Sequence, residues 1–160
     1  MQASSLQLES SAITRLHVEV NRGFPTDSTA APFSDFSGAG LESNVEFGPD
    51  ENDPRRYFLK LEVRLPGTEE TPSPYTLDLE VIGIFRCTGG NIEDEKLVGV
   101  NGPAVLYGSV RELVMLITSR GPFPPMVLPT VNFVPPDLTV DVEGHAVAKS
   151  SHVAPSPNQP

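Results

Sequence analysis

The chain has 160 residues, a formal net charge of −10 and a single cysteine. The negative charge repels phosphate backbones, so nucleic-acid binding is not expected. Cys87 has no partner for an intrachain disulfide, which is typical of a cytoplasmic protein. The longest apolar run, Leu113 to Ile117, is much shorter than the roughly 18 residues of a membrane-spanning helix. We therefore expect a cytoplasmic protein that does not insert into membranes.

Four segments alternate apolar and polar residues with a period of two, which predicts strands with one buried and one solvated face. The first segment is Leu6 to Val20, in which Ile13 is out of phase. Turns at 48–54 and 66–74 are short enough to join antiparallel neighbours, so strands two, three and four should form a meander. The other three segments are Leu41 to Phe47, Tyr57 to Leu65 and Tyr75 to Phe85.

The connection after the first strand, residues 21–40, is too long for a tight turn and predicts a crossover or a functional loop. It carries Phe24, Phe33 and Phe36 among Ser, Thr, Gly and Pro residues. We expect these aromatic side chains to contact an apolar partner, and plugging the edge of the sheet is the alternative.

Residues Pro103 to Arg120 have helical periodicity, with proline suited to the first position and Gly121 followed by Pro122 ending the helix. The apolar stripe of this helix is wider than one sheet face requires, so its second face should contact another subunit or a ligand. The proline-rich residues that follow cannot be helical and should be extended. The predicted fold is therefore α+β, with a four-stranded antiparallel sheet, a crossover after the first strand, and one long helix packed on the sheet.

The C-terminal residues are rich in proline, which occurs at 135, 136, 155, 157 and 160, and they have no sustained period. We predict one domain, residues 1–133, followed by a disordered tail, residues 134–160. The alternation of Leu138, Val140 and Val142 is compatible with a short edge strand, which we do not predict.

No group of side chains has the spacing of a catalytic or metal site. The three histidines have no Cys or His neighbour at metal-ligand spacing. Ser109 lies in the middle of the predicted helix and not at a nucleophile elbow. The Gly-Gly pair at 89–90 lacks the spacing of a phosphate-binding loop. We therefore expect a protein that is not an enzyme and needs no cofactor or metal.

The sequence GIF at 83–85, followed by the helix and then by SRGPFPPMVLPTVNF at 119–133, resembles the SecB chaperone family. The resemblance covers residues 5–133. It implies a homotetramer built as a dimer of dimers, with the helices between two sheets. It also implies an ATP-independent holdase that binds unfolded precursor proteins for export through the Sec translocase and passes them to the SecA motor.

The resemblance places a client-binding groove between the second strand, the crossover and the helix. The residues assigned to this predicted groove are Phe33, Phe36, Leu41, Val45, Phe47, Leu106, Val110, Met115, Phe123 and Met126. The surface assigned to a SecA-type partner comprises Glu19, Asp78 and Glu80.

The chain departs from the family pattern at two places. Arg15 stands where the resemblance implies an acidic SecA contact, and an arginine weakens such an electrostatic interaction. Val134, Pro135 and Pro136 stand where a final amphipathic helix usually begins. Two alternatives therefore stay open: a SecB-like chaperone dedicated to another client, such as the antitoxin of a toxin-antitoxin system, and a scaffold assembly that binds no unfolded chain.

Overall fold

The structure is a computed structural model that describes residues 4–24, 40–68, 72–88 and 92–133, together with the backbone of residues 139–140 and 146–148. Within these ranges the chain forms one sheet and one helix. The elements are β1 (Leu6–Val20), β2 (Glu42–Asp50), β3 (Asp53–Leu65), β4 (Tyr75–Cys87), α1 (Ile92–Thr118), β5 (Thr139–Val140) and β6 (Ala146–Ala148).

The strands lie in the order β1-β4-β3-β2-β6-β5, and every described pair is antiparallel. β2, β3 and β4 form a meander, whereas β1 lies next to β4, so the connection from β1 to β2 crosses over. This arrangement confirms the predicted α+β fold with its four long strands, crossover and single long helix. β5 and β6 extend the sheet beyond β2, so part of the predicted tail differs from the expectation of no regular structure.

Two irregularities in β1 explain its out-of-phase residue. The register with β4 shifts between Leu8 and Ser10 and again between Ile13 and Arg15. Each shift is a β-bulge, which moves the residues after it to the opposite face of the strand. Ile13 therefore opposes Val81 and lies on the inner, apolar face of the sheet.

α1 begins at Ile92 and contains Pro103 in its interior, so the predicted helix start at Pro103 is wrong. A proline inside a helix removes one backbone hydrogen bond, and packing has to offset that loss. The neighbouring Gly102 permits such packing, because a Cβ atom at this position would lie 2.7 Å from Cδ1 of Leu59. Close packing on the sheet therefore stabilises a helix that continues past Pro103, although proline at this position locally favours a helix start.

The core lies between α1 and the inner face of the sheet. Leu59, Leu61, Val63 and Leu65 of β3 are fully buried there. Gly83 of β4 also allows a close approach of the helix, since a Cβ atom at Gly83 would lie 2.9 Å from Leu106 and would displace it.

Candidate functional site

Buried polar contacts join the end of α1 to the extended segment that follows it. Thr118 Oγ1 donates to the carbonyl oxygen of Val114 at 2.7 Å and accepts the N–H of Met126 at 2.8 Å. The Tyr75 hydroxyl lies 3.2 Å from the carbonyl oxygens of both Thr118 and Phe123 and accepts the N–H of Phe123 at 3.3 Å. These bonds satisfy backbone groups that a helix end leaves free, and they fix the direction in which the chain leaves the helix.

The extended segment then runs back along α1. Tyr107 donates its hydroxyl hydrogen to the carbonyl oxygen of Pro129 at 3.0 Å, and Arg111 Nε donates to that of Leu128 at 2.9 Å. The Tyr107 ring contacts Phe133 edge to face, with 5.8 Å between centroids. Burial raises the pKa of Tyr107 to about 12, so the hydroxyl keeps its hydrogen at neutral pH. The segment is therefore held as a second layer on the helix.

Six residues of the predicted groove lie in the core of the protomer. They are at most 5% exposed, so in this protomer they stabilise the fold and do not line an open surface. Their burial has a physical cause: α1 covers the inner face of β2, where a Cβ atom on Gly99 would lie 3.0 Å from Phe47. The six are Leu41, Val45, Phe47, Leu106, Val110 and Met126. Phe33 and Phe36 lie outside the described residues.

The remaining two residues of the predicted groove are accessible. Met115 is 44% exposed on α1. Phe123 is half-buried and contacts Phe24 edge to face at 5.5 Å between centroids and Tyr75 at 5.9 Å. Phe24 is the first aromatic residue of the crossover, so the structure brings Phe123 to the base of that loop.

An open apolar groove of about 730 Å³ lies between β1 and the side of α1 that faces away from the core. Ile13 forms its wall on β1, and Met115 and Leu116 form its wall on α1. These three side chains are 49%, 44% and 58% exposed. The groove, called the β1–α1 groove below, is lined by Ile13, Ser109, Glu112, Leu113, Met115, Leu116, Ser119 and Pro125.

The outer face of the sheet carries a charge cluster around Arg15. Its guanidinium lies 2.9 Å from Asp78, 3.1 Å from Glu62 and 3.4 Å from Glu80. The hydrogen bond to Glu62 is the main cause that raises the pKa of Arg15. Burial acts to raise the pKa of Glu62, but hydrogen bonds from Arg15 and Asn44 outweigh it and leave this pKa below its usual value.

The structure therefore separates the three residues assigned to a SecA-type partner. Asp78 and Glu80 both pair with Arg15, whereas Glu19 is exposed and lies 3.4 Å from His17. Two of the three predicted acidic contacts are neutralised within the protomer.

A second charge cluster lies at the other end of the outer face. Arg86 pairs with Glu9 and with Asp53, and Arg56 pairs with Glu9 at 2.8 Å. The hydrogen bond from Arg86 is the main cause that lowers the pKa of Glu9. Phe58, 41% exposed, lies between the two clusters on this face. The outer face is thus a solvated surface of paired charges.

Sequence reasoning did not assign Ile13 or Leu116 to a binding surface. The signal for Ile13 was its break in the alternation of β1. This break results from the two bulges that lie on either side of Ile13. The signal for Leu116 was the excess width of the apolar stripe of the helix. The width by itself does not separate the exposed residues of the stripe from its buried ones.

The described ranges lack two further features. No helix there has the length and hydropathy needed to cross a bilayer. No group of three or more His, Cys, Asp or Glu side chains there has the arrangement of a metal site.

The fold and its surfaces define an α+β protein in which a long helix is covered by a sheet on one side and left partly apolar and open on the other. The sequence family described as preprotein translocase subunit SecB matches residues 33–135, more than half of the chain. The protein belongs to the SecB family, which confirms the resemblance.

Individual relatives are distant. The protein-export protein SecB of Acinetobacter baylyi is 28% identical over 96 residues, which cover 58% of this chain and 62% of the relative. That of Ehrlichia chaffeensis is 23% identical over 129 residues, covering 76% of this chain and 71% of the relative. The chain thus spans 62% of the length of the Acinetobacter relatives it matches.

Among solved structures, the chain is similar to a Mycobacterium tuberculosis SecB-like chaperone in complex with a peptide from an antitoxin. The sequences are 21% identical, the TM-score is 0.49, and the match covers 79% of this chain and 90% of that chain.

Proposed function

We propose that this protein is an ATP-independent, cytoplasmic holdase chaperone that binds unfolded polypeptides, with no catalytic role and no cofactor. The observation that carries the proposal is the accessible apolar surface of the protomer, which comprises the β1–α1 groove and, apart from it, the half-buried Phe24 and Phe123 at the base of the crossover. A holdase needs such surface because unfolded chains offer scattered apolar side chains and no fixed shape. Membership of the SecB family supports the same function.

Part of this surface suits self-association. β1 is the last strand at its edge of the described sheet, and its inner-face residues Leu8, Ile13 and Leu16 are at least 37% exposed. An open strand edge next to an apolar groove favours a symmetric contact with the same surface of a second copy. We propose that this contact leads to the homotetramer, and that clients bind at the crossover, whose base is formed by Phe24 and Phe123.

One experiment tests the holdase function and the assembly together. Light scattering gives the mass in solution, and the protein is then added without ATP to a reduced, unfolded client that aggregates. We expect a tetramer that suppresses the aggregation. A monomer with no effect on the client would contradict both proposals.

The predicted client site is tested by replacing Phe33 and Phe36 together with Ser. We expect weaker binding of an unfolded client and an unchanged assembly, because the substitutions remove two apolar side chains that the proposal assigns to clients and not to the contact between copies. Phe58→Ser is the matched control, since Phe58 is an exposed aromatic residue on the outer face of the sheet, which is not part of the proposed client site. Equal client affinity of the double variant and the parent would remove the two crossover residues from the site.

A more specific proposal is that the protein passes its clients to the SecA motor for export. The outer face of the sheet is then the surface that contacts SecA. Charge reversal at Glu19, Asp78 and Glu80 should abolish co-elution with SecA. Since Arg15 pairs with both Asp78 and Glu80, Arg15→Gln should release Glu80 from its ion pair, leave Asp78 paired with Arg64, and strengthen the same interaction. Charge reversal with no effect on co-elution would exclude this face.

A chaperone dedicated to another client, such as an antitoxin, is the second candidate. The ion pairs of Arg15 favour it, because a chaperone that holds one dedicated client needs no acidic surface for a translocation motor. The two candidates are separated by measuring affinity for a secretory precursor and for an antitoxin held in the same unfolded state. Tighter binding of the precursor would exclude the second candidate.

A further inference from the structure

β2 has sheet neighbours on both sides, and they differ greatly in extent. β3 pairs with β2 from Glu42 to Asp50. On the other side, β6 pairs with β2 only at Val45 and Glu46. β6 in turn pairs with β5, so a hairpin from the C-terminal region of the chain covers a small part of the β2 edge.

The central side chains of β2, from Asn44 to Phe47, are already engaged within the protomer. Val45 and Phe47 are buried against the core. Glu46 forms an ion pair with Lys60 at 2.7 Å, and Asn44 donates to Glu62 at 3.3 Å. What β2 offers to another chain is therefore its backbone edge.

A backbone edge binds an extended polypeptide by adding it to the sheet as a further strand. The N–H and C=O groups of such an edge pair with any extended segment, because the hydrogen bonds do not depend on the side chains. This kind of recognition matches a holdase, whose clients share no sequence. It also explains how β2 can contribute to client binding although Val45 and Phe47 are inaccessible.

We propose that the β5–β6 hairpin is an intramolecular competitor that occupies the strand-addition site on β2, and that an unfolded client segment binds β2 by displacing it. This inference rests on the proposed holdase function. The hairpin is displaceable because it pairs with two residues of a nine-residue strand, and a two-stranded hairpin is only marginally stable by itself. Its covalent attachment nevertheless gives it a high effective concentration at the edge.

Val147 is the residue at which to test the competition, since it pairs with Glu46 of β2 and with Thr139 of β5. Val147→Pro removes the backbone N–H of a strand residue in the full-length chain and should detach the hairpin. Ser151→Pro places the same substitution beyond the end of β6 and is the matched control.

Two measurements are made on the parent and both variants. The first is affinity for a reduced and alkylated polypeptide that cannot fold. Release of one or two ladder hydrogen bonds should make Val147→Pro bind about five- to thirty-fold more tightly than the parent, with Ser151→Pro unchanged. The second is amide hydrogen exchange without client, in which β2 should exchange faster in Val147→Pro only.

The outcomes separate this inference from the proposed function. Client binding by all three proteins with equal affinity, or weaker binding by Val147→Pro, overturns the competition and leaves the holdase function standing. Equal exchange of β2 in the parent and Val147→Pro overturns the pairing itself, whatever the clients do. No binding of unfolded polypeptide by any of the three proteins overturns the holdase function and the competition with it.

Discussion

Tyr75 and Phe123 contact each other in two ways. Their rings meet edge to face with 5.9 Å between centroids, and the Tyr75 hydroxyl lies within hydrogen-bond distance of both the N–H and the carbonyl oxygen of Phe123. Because Tyr75 begins β4 and Phe123 follows α1, this pair links the sheet to the chain as it leaves the helix. Phe24 packs on the same Phe123 ring, so the base of the crossover depends on this link.

Tyr75→Phe should therefore destabilise the protein by about 1–3 kcal/mol, because it keeps the ring contact and leaves buried backbone groups without their partner. Urea unfolding measures the change. Tyr57→Phe is the control, since the Tyr57 hydroxyl makes no hydrogen bond to any described residue although the ring is buried. Equal loss of stability in the two variants would show that the hydroxyl bonds of Tyr75 contribute nothing specific.

Gly83→Ala should cost about 1–3 kcal/mol of unfolding free energy, because the added methyl group overlaps Leu106 where α1 packs closely on the sheet. Gly108→Ala has the opposite expected sign. Gly108 lies in the same helix with no atom within 4 Å of an added Cβ, so alanine should stabilise the helix by up to about 1 kcal/mol. Thermal or urea unfolding of both variants measures whether the unfolding free energy falls for Gly83→Ala and rises for Gly108→Ala. A stabilising Gly83→Ala would contradict the packing described for the core.

Leu116→Glu should weaken self-association, because it places a charge on the most exposed wall of the β1–α1 groove. Light scattering over a range of protein concentrations should show a smaller mass than for the parent. Val127→Glu makes the same change at another exposed apolar residue that does not line the groove, and it should leave the mass unchanged. If Leu116→Glu keeps the parent mass, the groove is not the contact between copies.

Stability should fall as the pH is lowered through the range of the carboxylates. The pKa values of Glu9, Asp53 and Glu62 are lower in the folded chain than usual, so their stabilisation is complete above the unfolded values of about 4 and is lost as pH falls through the folded values. Arg15→Gln removes one cause of the low Glu62 pKa and should make the decline shallower.

Urea unfolding between about pH 3 and pH 6 measures this decline. Arg22→Gln is the control, because Arg22 is exposed and pairs with no carboxylate among the described residues. A decline for Arg15→Gln as steep as that of the parent and the control would show that the Arg15 pairs do not stabilise the fold.

The strands were predictable to a considerable extent because a period of two requires only that one face be buried. β4 was predicted from Tyr75 to Phe85 and extends to Cys87. β3 ends at Leu65 as predicted but begins at Asp53, before Tyr57. β2 begins at Glu42, one residue after the predicted start, and ends at Asp50, beyond Phe47. The two bulges of β1 were not predictable, since a bulge is defined by its partner strand, and that partner is β4, more than 60 residues away.

The candidate site was less predictable than the fold. Val45 and Phe47 have the correct phase for the inner face of β2, but phase alone does not show whether the helix covers that face. Here α1 extends back to Ile92 and covers it, against the local signal of Pro103. The exposed apolar residues are consequently on β1 and on the outward side of α1.

The sequence by itself determined the alternation of the strands, the non-helical character of the proline-rich segment after α1, and an excess of apolar surface on the helix, because each of these depends on the spacing and type of neighbouring residues. The tertiary structure decided which apolar residues are buried, which acids are neutralised by Arg15, and that a short C-terminal hairpin lies on β2. These depend on the crossover and on the close approach of α1 at Gly83 and Gly102, which bring together residues far apart in the chain.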